Sequence, residues 1–200
     1  KAAMQYPQQI RDGLSNSASD FVNIVWPFIA SAEGIGGGQI IPVEAVSPDD
    51  FASELDILAG VDAWQIVENN MGMRGIASRV QWGGDYRSFT IRYSTPSGAE
   101  TEFQKRLRAI NNPDEGYLFP HLTVQAFLRE QGGQILSVAA IPTRHLIQQA
   151  QKLIEWGCMN NGYDSRYGVR HSPDGRGFLY LSWQYLAYSD VKDHLMVFNS

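Results

Sequence analysis

Hydrophobic residues change their spacing near residue 60, from a helical period before it to alternation after it. Phe51, Leu55 and Leu58 recur at intervals of four and three, which places them on one face of a helix. Ser47 is a natural N-terminal cap for that helix, and Gly60 follows its last turn. We therefore predict a helix between Ser47 and Gly60.

Three strands are predicted to follow this helix, because apolar and polar residues then alternate between short turns rich in Asn, Gly and Asp. The predicted strands cover residues 61–67, 75–82 and 88–94. Alternation is clearest in the third strand, where Phe89, Ile91 and Tyr93 occupy every second position. A change from helical to strand spacing within one chain indicates a fold that mixes both element types.

The remaining segments extend the same mixture of helices and strands. We predict helices over 21–33, 97–110 and 143–157, a strand pair over 122–128 and 134–141, and a C-terminal hairpin turning at 172–175. Ser19-Asp20 is the predicted cap of the first helix, which Pro27 should kink. The expected class is α+β (mixed α/β), with a central sheet of about five strands and flanking helices. One domain, 1–200, is expected, with its core at about 47–155.

The composition is that of a protein with a hydrophobic core. The chain has 200 residues, of which 44% are apolar and 12% aromatic. The longest apolar stretch, from Phe21 to Ala32, is interrupted by Asn23 and Pro27, and it falls short of the ~18 continuous apolar residues of a membrane span. The N-terminal residues lack the apolar region of a signal peptide. We therefore expect a cytoplasmic protein with no membrane partner, in which the single cysteine, Cys158, packs in the interior.

Charge is distributed unevenly along the chain. The net charge is −5, but the segment 74–108 carries +4, which leaves −9 on the other 165 residues. Its basic residues are Arg74, Arg79, Arg87, Arg92, Lys105, Arg106 and Arg108. A basic segment in an acidic protein favours a surface that faces an anion such as nucleic acid. The alternative is a set of solvated strand and helix faces.

Asp62 is the residue that best fits a chemical role, because it lies two residues after the helix-ending Gly60 and at the start of a predicted strand. One interpretation is structural, in which Asp62 accepts backbone N–H bonds at a turn or pairs with Arg79 across the hairpin. In the other, Asp62 and the helix residue Glu54 hold a divalent cation. Mg²⁺ prefers hard oxygen ligands and needs few protein carboxylates, because it retains water.

The stretch LDILAGVDAW followed by GIASRVQW resembles the core of the PD-(D/E)XK phosphodiesterase superfamily, which includes many restriction and phage nucleases. The resemblance covers residues 47–155 approximately. It implies an αβββαβ-like core, followed by the C-terminal hairpin, and metal-dependent cleavage of phosphodiester bonds with Mg²⁺ or Mn²⁺. It also implies that Glu54 matches an optional helix acid and that Asp62 matches the acid of the first strand.

The second half of the family motif, an acid, a spacer and a lysine, falls on Ala77-Ser78-Arg79, so alanine stands where an oxygen ligand belongs. The resemblance then implies that Gln81 supplies the oxygen two residues further on. Arg79 or Lys105 takes the place of the lysine. Arginine stays protonated and cannot act as a base, although it can pair with phosphate.

Three functions follow as hypotheses, in this order. The first is a metal-dependent nuclease, with Asp62, Glu54 and Gln81 as metal ligands and Arg79, Gln81 and Lys105 beside Asp62 in catalysis. The second is a decayed nuclease fold that binds nucleic acid or inhibits a protein. The third is an interaction protein whose basic segment is incidental. The expected partner is nucleic acid, DNA rather than RNA, bound through Arg74, Arg87, Arg92, Arg106 and Arg108. Residues 1–46 and 158–200 have two interpretations, as extensions of the core or as the surface of a homodimer.

Overall fold

Strands form the larger share of the regular secondary structure in the part of the chain that the structure describes. A computed structural model describes residues 15–45, 60–67, 72–159 and 164–199 of the chain. The helix predicted between Ser47 and Gly60, with Glu54, lies outside the described residues.

Nine strands occur in the described part of the chain. They are β1 (Gln39–Pro42), β2 (Ala63–Val67), β3 (Gly72–Trp82), β4 (Ser88–Ser94), β5 (Leu122–Leu128), β6 (Ile135–Pro142), β7 (Tyr167–His171), β8 (Gly177–Ser182) and β9 (Met196–Asn199). All of the strands predicted between residues 61 and 183 are present, including the hairpin of β7 and β8.

Four helices accompany the strands within the same residues. Helix α1 is a continuous helical segment made of an α-helical turn Asn16–Asp20, a π-helical turn Phe21–Val25 and an α-helical turn Trp26–Ile29. The others are α2 (Glu102–Asn111), α3 (Thr143–Glu155) and α4 (Trp183–Leu186). Short 3₁₀ turns occupy Val43–Ala45, Pro113–Glu115 and Lys192–His194.

The strands divide between two sheets. Six strands form a mixed sheet in the order β1-β2-β3-β5-β6-β9, in which β3 and β5 are parallel and the other neighbours antiparallel. Strands β4, β8 and β7 form a separate antiparallel sheet in the order β4-β8-β7. The α+β class is confirmed, with a central sheet of six strands where about five were expected, and the C-terminal hairpin β7–β8 joins β4 in a second sheet.

The third predicted strand, β4, is the element that leaves the expected arrangement. Both edges of β3 are occupied, one by β2 and the other by β5, so β4 cannot add to it as the third strand of a meander. The chain instead crosses through residues 83–87 and pairs β4 with β8. Alternation of apolar residues fixes which side chains are buried but not which strand lies alongside.

The six-stranded sheet is covered by apolar residues on both faces. Helix α1 packs on one face, where Phe21, Val25 and Ile29 meet Ile76 and Val124. On the opposite face a second cluster joins residues of β5 and β6 to the three-stranded sheet and to α2, α3 and α4; it includes Phe89, Phe103, Phe127, Leu146 and Leu181. Both clusters are fully buried, which identifies them as the source of most hydrophobic stabilisation.

Helices α1 and α2 begin at residues other than those predicted, because capping residues determine where each helix starts. Helix α2 begins at Glu102 rather than near residue 97, because Thr101 caps it and forms a reciprocal capping box with Gln104. Helix α1 is capped by Ser15. Its π-helical turn ends immediately before the turn that contains Pro27. Proline has no backbone N–H to donate, and a regular α-helix would require one at this position.

The loop between α1 and β1 is fixed to β2 by close backbone contacts. Gln65 is buried, and its Nε2 donates to the carbonyls of Ile35 and Gly37 at 2.7 and 2.8 Å. Gly38 has φ +82°, and a Cβ at this position would lie 1.9 Å from the carbonyl oxygen of Ile66. Only glycine allows this approach.

None of the helices within the described ranges is both long enough and apolar enough to cross a lipid bilayer.

Candidate functional site

A cavity of about 430 Å³ opens where the start of β2, the middle of β3 and helix α2 meet. We call it the Asp62 cavity. Its charged lining residues are Asp62, Arg79, Arg92, Glu100, Glu102, Lys105 and Arg106. Of the nine predicted site residues between Asp62 and Arg108, five line it: Asp62, Arg79, Arg92, Lys105 and Arg106.

Asp62 lies in the two-residue linker between Gly60 and β2, half-buried at the mouth of the cavity. Its backbone N–H donates to the carbonyl of Ile76, and its Oδ2 accepts the backbone N–H of Ser78 at 2.6 Å. The carboxylate is therefore held beside the Ala77-Ser78-Arg79 stretch of β3. Arg79 pairs with Glu102 instead, so of the two structural alternatives for Asp62 the backbone N–H bond is formed and the pair with Arg79 is not.

Glu102 is the centre of the ionic network in this cavity. Its Oε1 accepts from Arg106 at 2.6 Å, and its Oε2 accepts from Arg79 at 3.4 Å and from the backbone N–H of Arg92 at 3.2 Å. Burial favours the neutral acid, but the Arg106 and Arg79 guanidiniums and the Arg92 N–H outweigh it and hold the pKa of Glu102 below its usual value. Glu102 is thus an ionised structural anion whose oxygens are already engaged.

Arg79 extends from β3 between the two sheets. Its Nη1 donates to the Thr90 hydroxyl at 2.8 Å, and its guanidinium carbon lies 5.8 Å from the ring centroid of Phe178. The side chain remains 30% exposed. Arg79 is therefore oriented by β4 and α2 while part of its guanidinium faces solvent, which is the arrangement that an anion-binding arginine needs.

Arg92 and Lys105 complete the cationic lining of the cavity. Arg92 is exposed on β4, and no carboxylate lies within ion-pair distance of it in the described part of the chain. Lys105 is half-buried on α2, one turn beyond Glu102. The four cationic and three anionic lining residues leave a formal charge of +1, and Glu100 is further neutralised by Arg108 at 3.1 Å.

Arg106 differs from the expectation of a nucleic-acid contact. Its side chain is 3% exposed, and it is committed to Glu102 and to the carbonyl of Gly60 at 3.4 Å. A buried, paired guanidinium supports α2 against the β2 linker rather than reaching out to a ligand.

Three other predicted basic contacts lie apart from the cavity lining. Arg74 lies on the α1 side of β3, because residues five apart on a strand face opposite sides and Arg79 faces α2. Arg87 pairs with Asp85 at 3.1 Å in the loop before β4. Arg108 pairs with Glu100 and covers the ring of Tyr117. The basic segment therefore does not form one continuous face.

The predicted metal ligands are only partly tested by this geometry. Gln81 does not line the Asp62 cavity; its Oε1 accepts from Gln125 at 3.1 Å, and it borders a second cavity. Glu54 lies outside the described residues. Among those that are described, no three His, Cys, Asp or Glu side chains converge as a metal site. The carboxylates that line the described cavity are Asp62, Glu100 and Glu102, of which Glu100 and Glu102 pair with arginines.

The second cavity, of about 330 Å³, lies between the end of β3 and the three-stranded sheet, and we call it the Tyr86 cavity. Its lining residues are Arg79, Gln81, Tyr86, Ser88, Thr90, Ser165, Arg170, His171, Ser172, Phe178 and Tyr180. Sequence reasoning missed most of these residues because it placed β4 in the main sheet. Tyr180 and Trp183 are buried, and Cys158 packs against the second apolar cluster.

Comparison of the chain with protein-family models, with curated proteins and with solved structures gives no match.

Proposed function

We propose that this protein binds nucleic acid by holding backbone phosphate in the Asp62 cavity. The observation that carries the proposal is the convergence of Arg79, Arg92 and Lys105 on one cavity while Glu102, the carboxylate between them, is already neutralised by Arg106. Phosphate oxygens would accept from the cations that face the cavity. This arrangement corresponds to the second hypothesis from the sequence, a nuclease-like fold that binds nucleic acid.

Charge and exposure support an anionic ligand such as phosphate. Arginine can bind two oxygens of a phosphate through paired, coplanar N–H groups, and lysine adds a compact charge. Arg79 is held by Thr90 with part of its side chain in solvent, so little rotational freedom remains to be lost on binding. A preoriented cation of this kind binds anions at lower entropic cost than a free surface arginine.

Metal-dependent hydrolysis is the second candidate function, and the position of Asp62 favours it. The carboxylate lies beside Ala77-Ser78-Arg79 in a cavity that also contains Lys105. A bound Mg²⁺ or Mn²⁺ would supply a Lewis acid and an activated water next to the scissile phosphate. Asp62 would bind the cation, and Arg79 and Lys105 would orient the phosphate.

Fluorescence anisotropy with labelled DNA tests the binding proposal. We expect Arg92→Glu to weaken binding at least about tenfold. The slope of log affinity against log salt concentration should also become shallower, by about the amount that one phosphate contact contributes. Arg129→Glu is the matched control, because it makes the same charge change on an exposed arginine outside both cavities. Equal losses of affinity in the two variants would mean that net charge alone causes the effect, which would contradict the proposal.

Incubation of plasmid and single-stranded DNA with Mg²⁺ and with Mn²⁺ tests the hydrolysis candidate. Cleavage that EDTA stops and that Asp62→Asn abolishes, while DNA binding persists, supports it. Intact DNA under both metals, in protein that still binds the same DNA, leaves phosphate binding as the function and removes hydrolysis.

A further inference from the structure

The Tyr86 cavity adjoins the Asp62 cavity through a single side chain. Arg79 lines both, with Nη2 directed to Glu102 in the Asp62 cavity and Nη1 to Thr90 in the Tyr86 cavity. Arg79 is therefore the residue that the two cavities share.

The Tyr86 cavity presents an aromatic ring on a fixed loop. Tyr86 is 66% exposed, and its ring meets the edge of Phe127 with centroids 6.0 Å apart and an interplanar angle of 70°. Gly84 lies directly against the ring, since a Cβ there would be 2.9 Å from it. Asp85 anchors the loop through the Ser137 hydroxyl and Arg87. The ring is thus held in place while much of its surface remains open.

Flat cationic and polar groups line the other walls of the same cavity. The guanidinium of Arg170 lies 4.8 Å from the Tyr180 ring centroid, and no carboxylate is within ion-pair distance of it in the described ranges. Gln81 uses its Oε1 to accept from Gln125, and its amide nitrogen has no hydrogen-bond partner among the described residues. Stacking surfaces combined with unused in-plane donors suit a planar, heteroatom-rich ligand.

We propose that the Tyr86 cavity binds an unpaired nucleobase of the strand whose phosphate is held at Arg79. The inference rests on the proposed phosphate binding and adds the class of substrate, single-stranded nucleic acid. A base in a duplex has both faces covered by stacking and its Watson–Crick edge paired, so it cannot enter a concave site of this kind without being unpaired. Tyr86 would stack on the base, and Gln81 and Arg170 would donate to its edge.

Three probes of similar length, each about a dozen nucleotides, separate base contacts from phosphate contacts: an oligothymidylate, its duplex with oligoadenylate, and an abasic strand. We expect wild-type protein to prefer oligothymidylate over both others. Tyr86→Ala should weaken oligothymidylate binding about tenfold and leave the duplex and the abasic strand within about twofold. Tyr86→Phe, which keeps the ring, should bind as wild type does.

Tyr188→Ala is the matched control, because Tyr188 is 86% exposed and lies outside both cavities. If Tyr86→Ala has no effect, or weakens all three probes equally, the base site is overturned. Arg92→Glu distinguishes that result from failure of the proposed function, because loss of phosphate contacts weakens all three probes together. If wild-type protein binds none of the probes, both proposals are overturned.

Discussion

The Asp62 carboxylate accepts the backbone N–H of Ser78 at 2.6 Å, which ties the residue before β2 to the middle of β3. We expect Asp62→Ala to lower the free energy of unfolding by about 1–3 kcal/mol, because the Ser78 N–H loses a charged acceptor. Asp62→Asn retains an oxygen in that place and should cost less than about 1 kcal/mol. Urea unfolding of the two variants measures the difference, and equal costs would contradict a structural role for this bond.

The same Asp62→Asn substitution should strengthen binding of oligonucleotides a few-fold. It removes a negative charge from a cavity that also contains Arg79, Arg92 and Lys105, so repulsion of phosphate decreases. Asp193→Asn provides a control with the same change of net charge on an exposed residue outside both cavities. Anisotropy titrations at low salt compare them. Equal affinities for the two variants would mean that Asp62 does not face the bound phosphate.

Removal of the Glu102 charge should destabilise the fold strongly. Glu102→Gln leaves the guanidinium of Arg106, only 3% exposed, without its ionic partner, and an uncompensated buried charge costs about 3–5 kcal/mol. Glu100→Gln is the control, since the Glu100–Arg108 pair is exposed and worth less than about 1 kcal/mol. Chemical denaturation of both variants tests this. A Glu102→Gln cost as small as that of Glu100→Gln would show that Arg106 is readily solvated.

Gly38 should tolerate no side chain. Gly38→Ala combines a positive φ with a Cβ 1.9 Å from the Ile66 carbonyl oxygen, so the backbone must move, and we expect a loss of at least about 3 kcal/mol or failure to fold. Gly98→Ala has a similar φ of +70° but open space around the Cβ, and should cost about 1 kcal/mol. Thermal unfolding of the two variants measures both losses of stability. The difference between them is the cost of the steric clash, since both positions have a positive φ.

His145 should make stability depend on pH near neutrality. Burial, together with the His194 ring stacked at 3.7 Å and Arg144, lowers the pKa of His145. The unfolded chain therefore takes up a proton at about pH 6.5 while the folded chain does not. The stability linked to this group is present above about pH 6.5 and is lost as the pH falls toward the folded-state pKa. His145→Gln should flatten this dependence in unfolding measurements across that range, and an unchanged slope would contradict the assignment.

Local structure was predicted well from the sequence, because spacing and capping residues act over short distances. Alternation at Phe89, Ile91 and Tyr93 correctly identified a strand, and turn residues correctly placed the C-terminal hairpin. The pairing of β4 with β8, about 90 residues later in the chain, depends on contacts that no local pattern encodes. The periodicity of the sequence therefore could not predict the division into two sheets.

The candidate site was predicted in part for the same reason. Asp62, Arg79 and Lys105 come together because β2 and β3 are neighbours and α2 follows them. Gln81 was placed with Asp62, but it lies two residues beyond Arg79 along β3 and borders the other cavity. The ion pair between Glu102 and Arg106 joins residues of opposite charge at positions i and i+4 of a predicted helix. The sequence interpretation did not use this signal.

Arg79 stands between the two cavities and divides its N–H groups between Glu102 and Thr90. The guanidinium is planar and rigid, so a ligand that reorients it from one side changes the donors available on the other. Under the two proposals, occupancy of one cavity is consequently linked to occupancy of the other through this side chain. Thermodynamic reciprocity then requires each occupant to alter the affinity of its neighbour by the same factor.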